Sequence, residues 1–405
     1  MLTPRAATIR ALRKNNMERI RVGIVGIGNM GGAHTNCIAS GQINGMKLSA
    51  LCDTDPDKRA ALKREYPDIP VFATHQELIA SGLCDALIVS PPHKFHPIVA
   101  QDALNAGLHV LTEKPAAVCA RDAEQMAECA RRSGKVFAIM FNQRTNPIFR
   151  RAREIVRSGA LGEPKRLVWI ITNWYRTQSY YNSGGWRATW DGEGGGVLLN
   201  QAPHNLDIMQ WIFGMPKRVR AFCYNAKWHN IEVEDDAAIY AEYANGATAT
   251  FITSTGECPG TNRLEIAGDL GKLVIEDGHL KWWKLAERER EFCFTAEKGS
   301  YKPDIEFEDY VPTEPETAHK GVLQAFADAV LTGSDLIAKG EEGVNELTIS
   351  NAAYLSSWTD SWVELPLDHD AFERELNKRI ETSCRHECKN ETMSKTYNER
   401  WSVRW

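Results

Sequence analysis

Residues 26–31, Gly26-Ile27-Gly28-Asn29-Met30-Gly31, follow directly on an apolar run at residues 22–25. Glycines at this spacing between a strand and a helix confine the chain to one kind of turn. Gly26 permits a tight reversal, Gly28 lets the backbone approach a pyrophosphate, and Gly31 lets the helix pack closely on the strand. The first helical turn then presents unpaired N–H groups and a positive dipole end to an anion. Asp53 stands at the end of the next apolar run, about 20 residues on, as a dinucleotide fold requires. A carboxylate there accepts hydrogen bonds from the adenosine ribose diol and repels a 2′-phosphate, so NAD is expected rather than NADP. Read only as a turn or cap residue of Asp53-Thr54-Asp55-Pro56, it would leave that preference open.

Apolar runs at 22–25, 48–52, 86–89, 109–112 and 136–140 alternate with amphipathic stretches at 31–40, 97–106 and 120–133. That alternation predicts an α/β Rossmann domain, a doubly wound parallel sheet, over residues 20–145. Beyond it, runs 236–243 and 247–253 are joined by Ala244-Asn245-Gly246, the mark of an antiparallel hairpin. Further strands are expected at 264–267, 273–276 and 280–285, giving an α+β domain over 146–368 with an open, mainly antiparallel sheet. Helices at 316–331 and 341–362 are expected to return toward the first domain. A charged helix at 370–381 and a polar tail complete residues 369–405. At 405 residues, two domains are also what core size demands.

With 43% hydrophobic and 25% charged residues the composition is that of an ordinary globular protein. A formal net charge of -5 supplies no electrostatic footprint for nucleic acid. No apolar stretch approaches the roughly 20 residues that cross a bilayer, so no membrane partner is expected. The ten cysteines, among them Cys37, Cys52, Cys84, Cys129 and Cys223, lack disulfide-framework spacing, which fits a reducing cytoplasm. Cys384, His386 and Cys388 are too few and too close to surround an ion, and no metal site is expected. Residues 1–19 carry Arg5, Arg10, Arg13, Lys14 and Arg19 against Glu18, with no apolar core of a secretory signal. They are expected to be a disordered extension, with Met17 placed as a start would be; an organelle transit segment is the other reading.

Lys114 follows the run at 109–112, at the carboxyl edge of the sheet, where ligands of open α/β folds bind. Its ammonium suits holding a substrate hydroxyl and stabilising a developing alkoxide. Ser90-Pro91-Pro92, His96, Gly107-Leu108-His109-Val110 and Glu113-Lys114-Pro115 stand in order ahead of a second-domain motif. That motif is Gly194-Gly195-Gly196-Val197-Leu198-Leu199-Asn200-Gln201-Ala202-Pro203-His204-Asn205-Leu206-Asp207. Together they resemble the glucose-fructose oxidoreductase, inositol dehydrogenase and MocA superfamily over roughly residues 20–368.

The resemblance implies NAD(P)-dependent oxidation or reduction of a sugar, cyclitol or related polyol, with the nicotinamide between two domains. Cofactor contacts are then expected from Gly26, Gly28, Asn29, Met30, Gly31, Asp53, Ser90, Pro91, His96, Glu113 and Lys114, and a cis bond before Pro115. His204 is expected as general base. Spacing of i, i+4 and i+7 places Asn200, His204 and Asp207 on one helical face. The family position at 200 is often aspartate. Asparagine there leaves Asp207 to supply a carboxylate, or leaves the base with a less elevated pKa. Lys114, His204 and Asn200 form the expected catalytic set.

Trp174, Tyr175, Arg176, Tyr180, Tyr181, Trp186, Arg187 and Trp190 crowd the stretch before that motif. Aromatic faces pack on sugar C–H faces and arginine grips hydroxyls or a carboxylate, so a ring-shaped polar substrate is expected. About half of these aromatics are expected to serve the core or a subunit contact. Arg144, Tyr181, Trp186, Arg187, Asn200 and His204 form the expected substrate set. The leading function is an NAD-dependent sugar or glycoside dehydrogenase. An NAD-dependent glycosidase with transient redox cycling, a non-catalytic regulator that senses NAD or sugar, and a purely structural role are the alternatives. A sheet covered by helices on one side, with twelve tryptophans in the chain, predicts a homo-oligomer, a dimer, tetramer or higher.

Overall fold

The computed structural model describes residues 18–384. Most of residues 1–19, and the polar tail with His386 and Cys388, therefore lie outside the described residues. The first sheet contains β1 (Ile20–Val25), β2 (Met46–Cys52), β3 (Val71–Phe72), β4 (Ala86–Val89), β5 (His109–Thr112) and β6 (Phe137–Ile139). Its order is β3-β2-β1-β4-β5-β6 and every pairing is parallel. The order reverses at β1, and the carboxyl ends of β1 and β4 open the crevice there. All four residues of β4 are buried, as a strand covered on both faces requires. The helix Pro56–Glu65, which the apolar pattern alone did not reveal, starts on an Asp55 cap with proline at its first position.

The second sheet has nine strands: β7 (Pro164–Ile171), β8 (Arg218–Asn225), β9 (Glu234–Glu242), β10 (Thr248–Ser254), β11 (Asn262–Gly268), β12 (Gly271–Glu276), β13 (His279–Leu285), β14 (Ile305–Tyr310) and β15 (Val363–Glu364). Their order is β14-β13-β12-β11-β7-β10-β9-β8-β15. The expected hairpin is β9–β10, paired antiparallel. The sheet is mixed at its centre, where β7 inserts between β10 and β11 and runs parallel to β10. Leu167, Trp169 and Ile171 of β7 face inward, and Trp169 meets Phe149 of the helix Pro147–Arg157 at 5.8 Å between ring centroids.

Two helices late in the chain tie the sheets together. Val322, Leu323, Phe326 and Ala327 of Ala318–Thr332 enter the core of the first sheet beside Ile20, Val22 and Ile24. Each large side chain so buried contributes about 1.5–3 kcal/mol, enough to hold the helix away from its own sheet. Gly343–Thr359 packs on β8, on Pro203–Phe213 and on Ala120–Ser133, and so spans both halves. The helix His369–Ile380 lies against it through the stacked rings of Trp358 and Phe372.

Candidate active site

The glycine loop is built as its composition requires. Gly26 has φ +85°, and a Cβ there would lie 2.5 Å from the nitrogen of Pro91. A Cβ on Gly31 would lie 2.0 Å from the Gly26 carbonyl oxygen, whereas one on Gly28 would meet nothing within 4 Å. The open side of the loop is thus over Gly28. The helix Asn29–Ala39 begins there without a side-chain cap, and Gly28 and Asn29 are exposed. An uncapped helix start beside open space fits a pyrophosphate. Asp53 sits against the loop, its Oδ2 accepting from the Ile27 N–H at 2.8 Å and its Oδ1 from the Asp55 N–H at 2.9 Å. Ser90 and Pro91 border Gly26, and Met30 is half-buried in the first turn.

Two residues expected at the cofactor face inward instead. His96 is 1% exposed, with its ring nitrogens each 2.8 Å from a backbone carbonyl, Pro91 on one side and Pro115 on the other. It clamps the loop after β4 to the loop after β5. Glu113 accepts a 2.7 Å hydrogen bond from His34 Nε2, fastening the loop helix to the end of β5. Burial pushes this carboxyl up, but the His34 bond and neighbouring positive groups outweigh it and hold it below the usual range.

Lys114 stands just beyond β5, followed by the expected cis bond to Pro115. Its Nζ donates to the carbonyl oxygen of Asn200 at 2.6 Å. Burial lowers the amine's affinity for its proton, although Glu113, Glu346 and Glu193 oppose the shift. Asn200 and His204 do not share one helix. Val197–Asn200 ends where Pro203 starts the helix Pro203–Phe213. Proline has no N–H to continue the first helix and a φ suited to opening the second, so the i, i+4 expectation fails at the break.

The carboxylate sought for Asn200 comes from an unforeseen place. Glu193, 2% exposed, accepts a short hydrogen bond from Asn200 Nδ2 and another from the Ala188 N–H at 2.6 Å. Asp207 is occupied elsewhere: it receives Arg144 Nε at 2.8 Å and Nη2 at 2.6 Å. Arg144 was expected to grip substrate, yet its side chain is 1% exposed and spent on Asp207 and Glu342. Its planar fork matches a carboxylate two-to-two, and the pair locks the end of the first sheet to Pro203–Phe213.

His204 is partly exposed, with its Nδ1 buried and without a hydrogen-bond partner among the described residues. Burial, then the nearby Lys114 charge, keeps the imidazole's pKa well below 6.5, so the ring is neutral. Tyr181 is corrected from substrate contact to structural prop: it is 4% exposed and its hydroxyl is bonded to Thr255 at 2.7 Å. Trp190 is likewise buried, with its indole nitrogen donating to the Glu232 carbonyl at 3.1 Å. Tyr180, Trp186 and Arg187 stay half-buried at the rim. Arg187 donates to the Tyr180 hydroxyl at 2.9 Å and stacks over the Trp186 ring at 4.7 Å.

Sequence reasoning passed over His93, His319, Glu193 and Glu346. His93 lies edge-on to Trp186 at 5.7 Å, and its buried Nδ1 has no hydrogen-bond partner among the described residues. His319 comes from the start of the helix Ala318–Thr332, 6.2 Å from the His34 ring, and burial pushes it down to about 4. His93 was within reach of the motif, being next to Ser90-Pro91-Pro92; His319 and Glu346 carry no local signal. Among the described residues no cluster of three or more His, Cys, Asp or Glu side chains is placed to hold a metal ion. No helix among them is long and apolar enough to cross a membrane.

Comparison with known proteins accounts for both halves. Residues 20–141 match the NAD-binding Rossmann fold of an oxidoreductase family, and residues 149–274 match the GFO/IDH/MocA C-terminal domain. D-glucoside 3-dehydrogenase of Escherichia coli (strain K12) is 26% identical over 367 residues, covering 85% of this chain and 97% of that protein. The 1-carboxy-3-chloro-3,4-dihydroxycyclohexa-1,5-diene dehydrogenase of Comamonas testosteroni is 27% identical over 263 residues, 65% of this chain and 64% of its own. The fold is shared with the WlbA dehydrogenase of Bordetella pertussis, solved with NADH and UDP-GlcNAcA. That match has a TM-score of 0.72 and 24% identity over 86% of this chain and all of that one. With the glycine loop, the Glu113-Lys114-Pro115 turn and both domain matches in place, the chain is an NAD-binding oxidoreductase and belongs to the Gfo/Idh/MocA family.

Proposed function

We propose that the protein is an NAD-dependent dehydrogenase oxidising a secondary hydroxyl of a sugar, glycoside or cyclitol, with a ring carbon of a glycoside the favoured position. The observation that carries this reading is the bond from Lys114 Nζ to the Asn200 carbonyl, four residues before His204, which joins the carboxyl edge of the parallel sheet to the second domain. When bound, NAD supplies the hydride-accepting nicotinamide. Gly28 and the uncapped helix start would receive its pyrophosphate, and Asp53 would receive its adenosine ribose. The Lys114 ammonium holds the substrate oxygen and stabilises negative charge as it develops there. Neutral His204 accepts the hydroxyl proton. Asn200, held by Glu193, fixes the carbonyl that aims Lys114. Arg187, Trp186 and Tyr180 supply a cation and ring faces for the sugar.

Similarity to D-glucoside 3-dehydrogenase along nearly its whole length supports a glycoside substrate. The test incubates purified protein with NAD and a panel of free sugars, cyclitols and glycosides, following NADH absorbance and product mass. NADH formation with a keto-sugar of two mass units less supports the reading. Glycoside cleavage without NADH would replace it with transient redox cycling.

The uncovered face of the nine-stranded sheet carries exposed Phe222, Tyr224 and Tyr240. Self-association is the reading this face supports, and the cytoplasm is the setting proposed for it. Light scattering that gives a monomer at micromolar concentration would remove it.

A further inference from the structure

Glu346 lies in the first turn of Gly343–Thr359 and is fully buried. Neither carboxyl oxygen has a hydrogen-bond partner among the described residues. One turn earlier, the helix start is tightly packed against the first domain. A Cβ on Gly343 would lie 2.7 Å from Ile139 Cδ1 and 2.8 Å from Ala116 Cβ, on the segment just after Lys114. An unpaired buried carboxyl is costly, which makes its retention informative.

The groups acting on Glu346 define its setting. The Lys114 amine, from the loop after β5, attracts its negative form, and Asp207, from Pro203–Phe213, repels it. Asp207 is tied to Arg144 and Gln210, and Glu342, just ahead of Glu346 in the chain, is tied to Arg144. Three carboxyls act on Lys114: Glu113, Glu346 and Glu193. Glu113 is bonded to His34 and Glu193 to Asn200 and the Ala188 N–H. Glu346 alone of the three has both oxygens free of such bonds.

We propose that Glu346 is a positioning residue for the dehydrogenase, a buried counter-charge that keeps Lys114 protonated as the medium becomes alkaline. The proposal rests on the reading above, in which Lys114 works as an ammonium. Burial drives both groups toward their neutral forms, Glu346 holding its proton well above the usual carboxyl range and Lys114 losing its own more readily. Ionisation of Glu346 raises the proton affinity of Lys114, so the two titrate as a pair.

Glu346→Gln keeps the shape and removes the charge. The alkaline limb of kcat/KM is expected to move down by about one pH unit, the low end of what a nearby opposite charge does. KM near neutrality should hold, and Glu346→Asp should restore part of the limb. Thermal melts give a readout independent of turnover. A carboxyl whose folded pKa is raised contributes stability at low pH that is lost as pH rises through the folded value. Glu346→Gln should therefore gain melting temperature relative to wild type between pH 5 and pH 8. In a cycle with Lys114→Met, coupling between positions 114 and 346 should grow over the same interval. An unmoved alkaline limb, or coupling absent at pH 8, overturns the proposal; Glu346→Leu carries the same comparison should the glutamine variant not fold. If no sugar is oxidised yet the coupling appears, the dehydrogenase reading fails and the charge pair stands.

Discussion

Lys114 Nζ donates a 2.6 Å hydrogen bond to the carbonyl oxygen of Asn200, joining the edge of the parallel sheet to the helix break ahead of His204. The cation of one half is aimed by the backbone of the other. Lys114→Met should lower kcat by about 10²–10⁴, the range for a positioned acid–base group, and leave NAD affinity within a few-fold. Lys114→Arg should not restore it, because a planar fork cannot occupy the ammonium's place. Steady-state rates and nucleotide fluorescence titration check both; a variant near wild-type rate would remove Lys114 from the chemistry.

The stability contributed by the buried histidines should fall as pH drops from about 6.5 toward 4. Burial holds His204 and His93 well below 6.5, and His109 and His319 down to about 4. A depressed folded pKa means that the unfolded chain takes up protons first. The stability these rings confer is thus complete above 6.5 and is lost as pH falls through the folded values. Buried Glu234 and Glu346, whose carboxyls burial pushes up, act in the opposite sense over the same range, so the histidine contribution is read as a difference: the melting temperature of His319→Gln relative to wild type should rise from pH 7.5 to pH 6 to pH 5.

Arg144→Met should cost about 3–5 kcal/mol in urea unfolding, since it strands the Asp207 carboxylate in a dry site. Pairing it with Asp207→Leu should recover most of that loss. A double variant no more stable than the single one would mean that the pair does more than satisfy itself.

Gly28 and Gly31 should part company when each is changed to alanine. Gly28→Ala puts a methyl into open space, so the melting temperature should barely move while NAD binding is lost. Gly31→Ala drives a methyl against the Gly26 carbonyl, 2.0 Å away, and should destabilise the fold as well. Unchanged NAD affinity in Gly28→Ala would move the pyrophosphate elsewhere.

Much of the first sheet was legible because each strand signals locally. β4 and β5 fall on the expected residues, and the helix Ala120–Ser133 matches its expected span. The second sheet was legible only in pieces. Alternation in β7 tells which side chains turn inward, but not that β10 and β11 will be its neighbours. At the site, Lys114 and His204 were visible as motif residues. Arg144 and Tyr181 misled because an arginine or tyrosine near a motif looks alike whether it faces a ligand or a buried partner.

The sequence by itself determined the glycine turn, the acid at Asp53, the lysine at a strand end and the histidine after a proline. Each follows from backbone conformation or period within a few residues. Tertiary structure decided what surrounds them. Glu193 reaches Asn200, His319 arrives on a helix packed into the first sheet, and Glu346 is buried on a distant helix within electrostatic reach of Lys114. Charge and burial act through space, and the protonation of Lys114 and His204 depends on neighbours that chain order does not reveal.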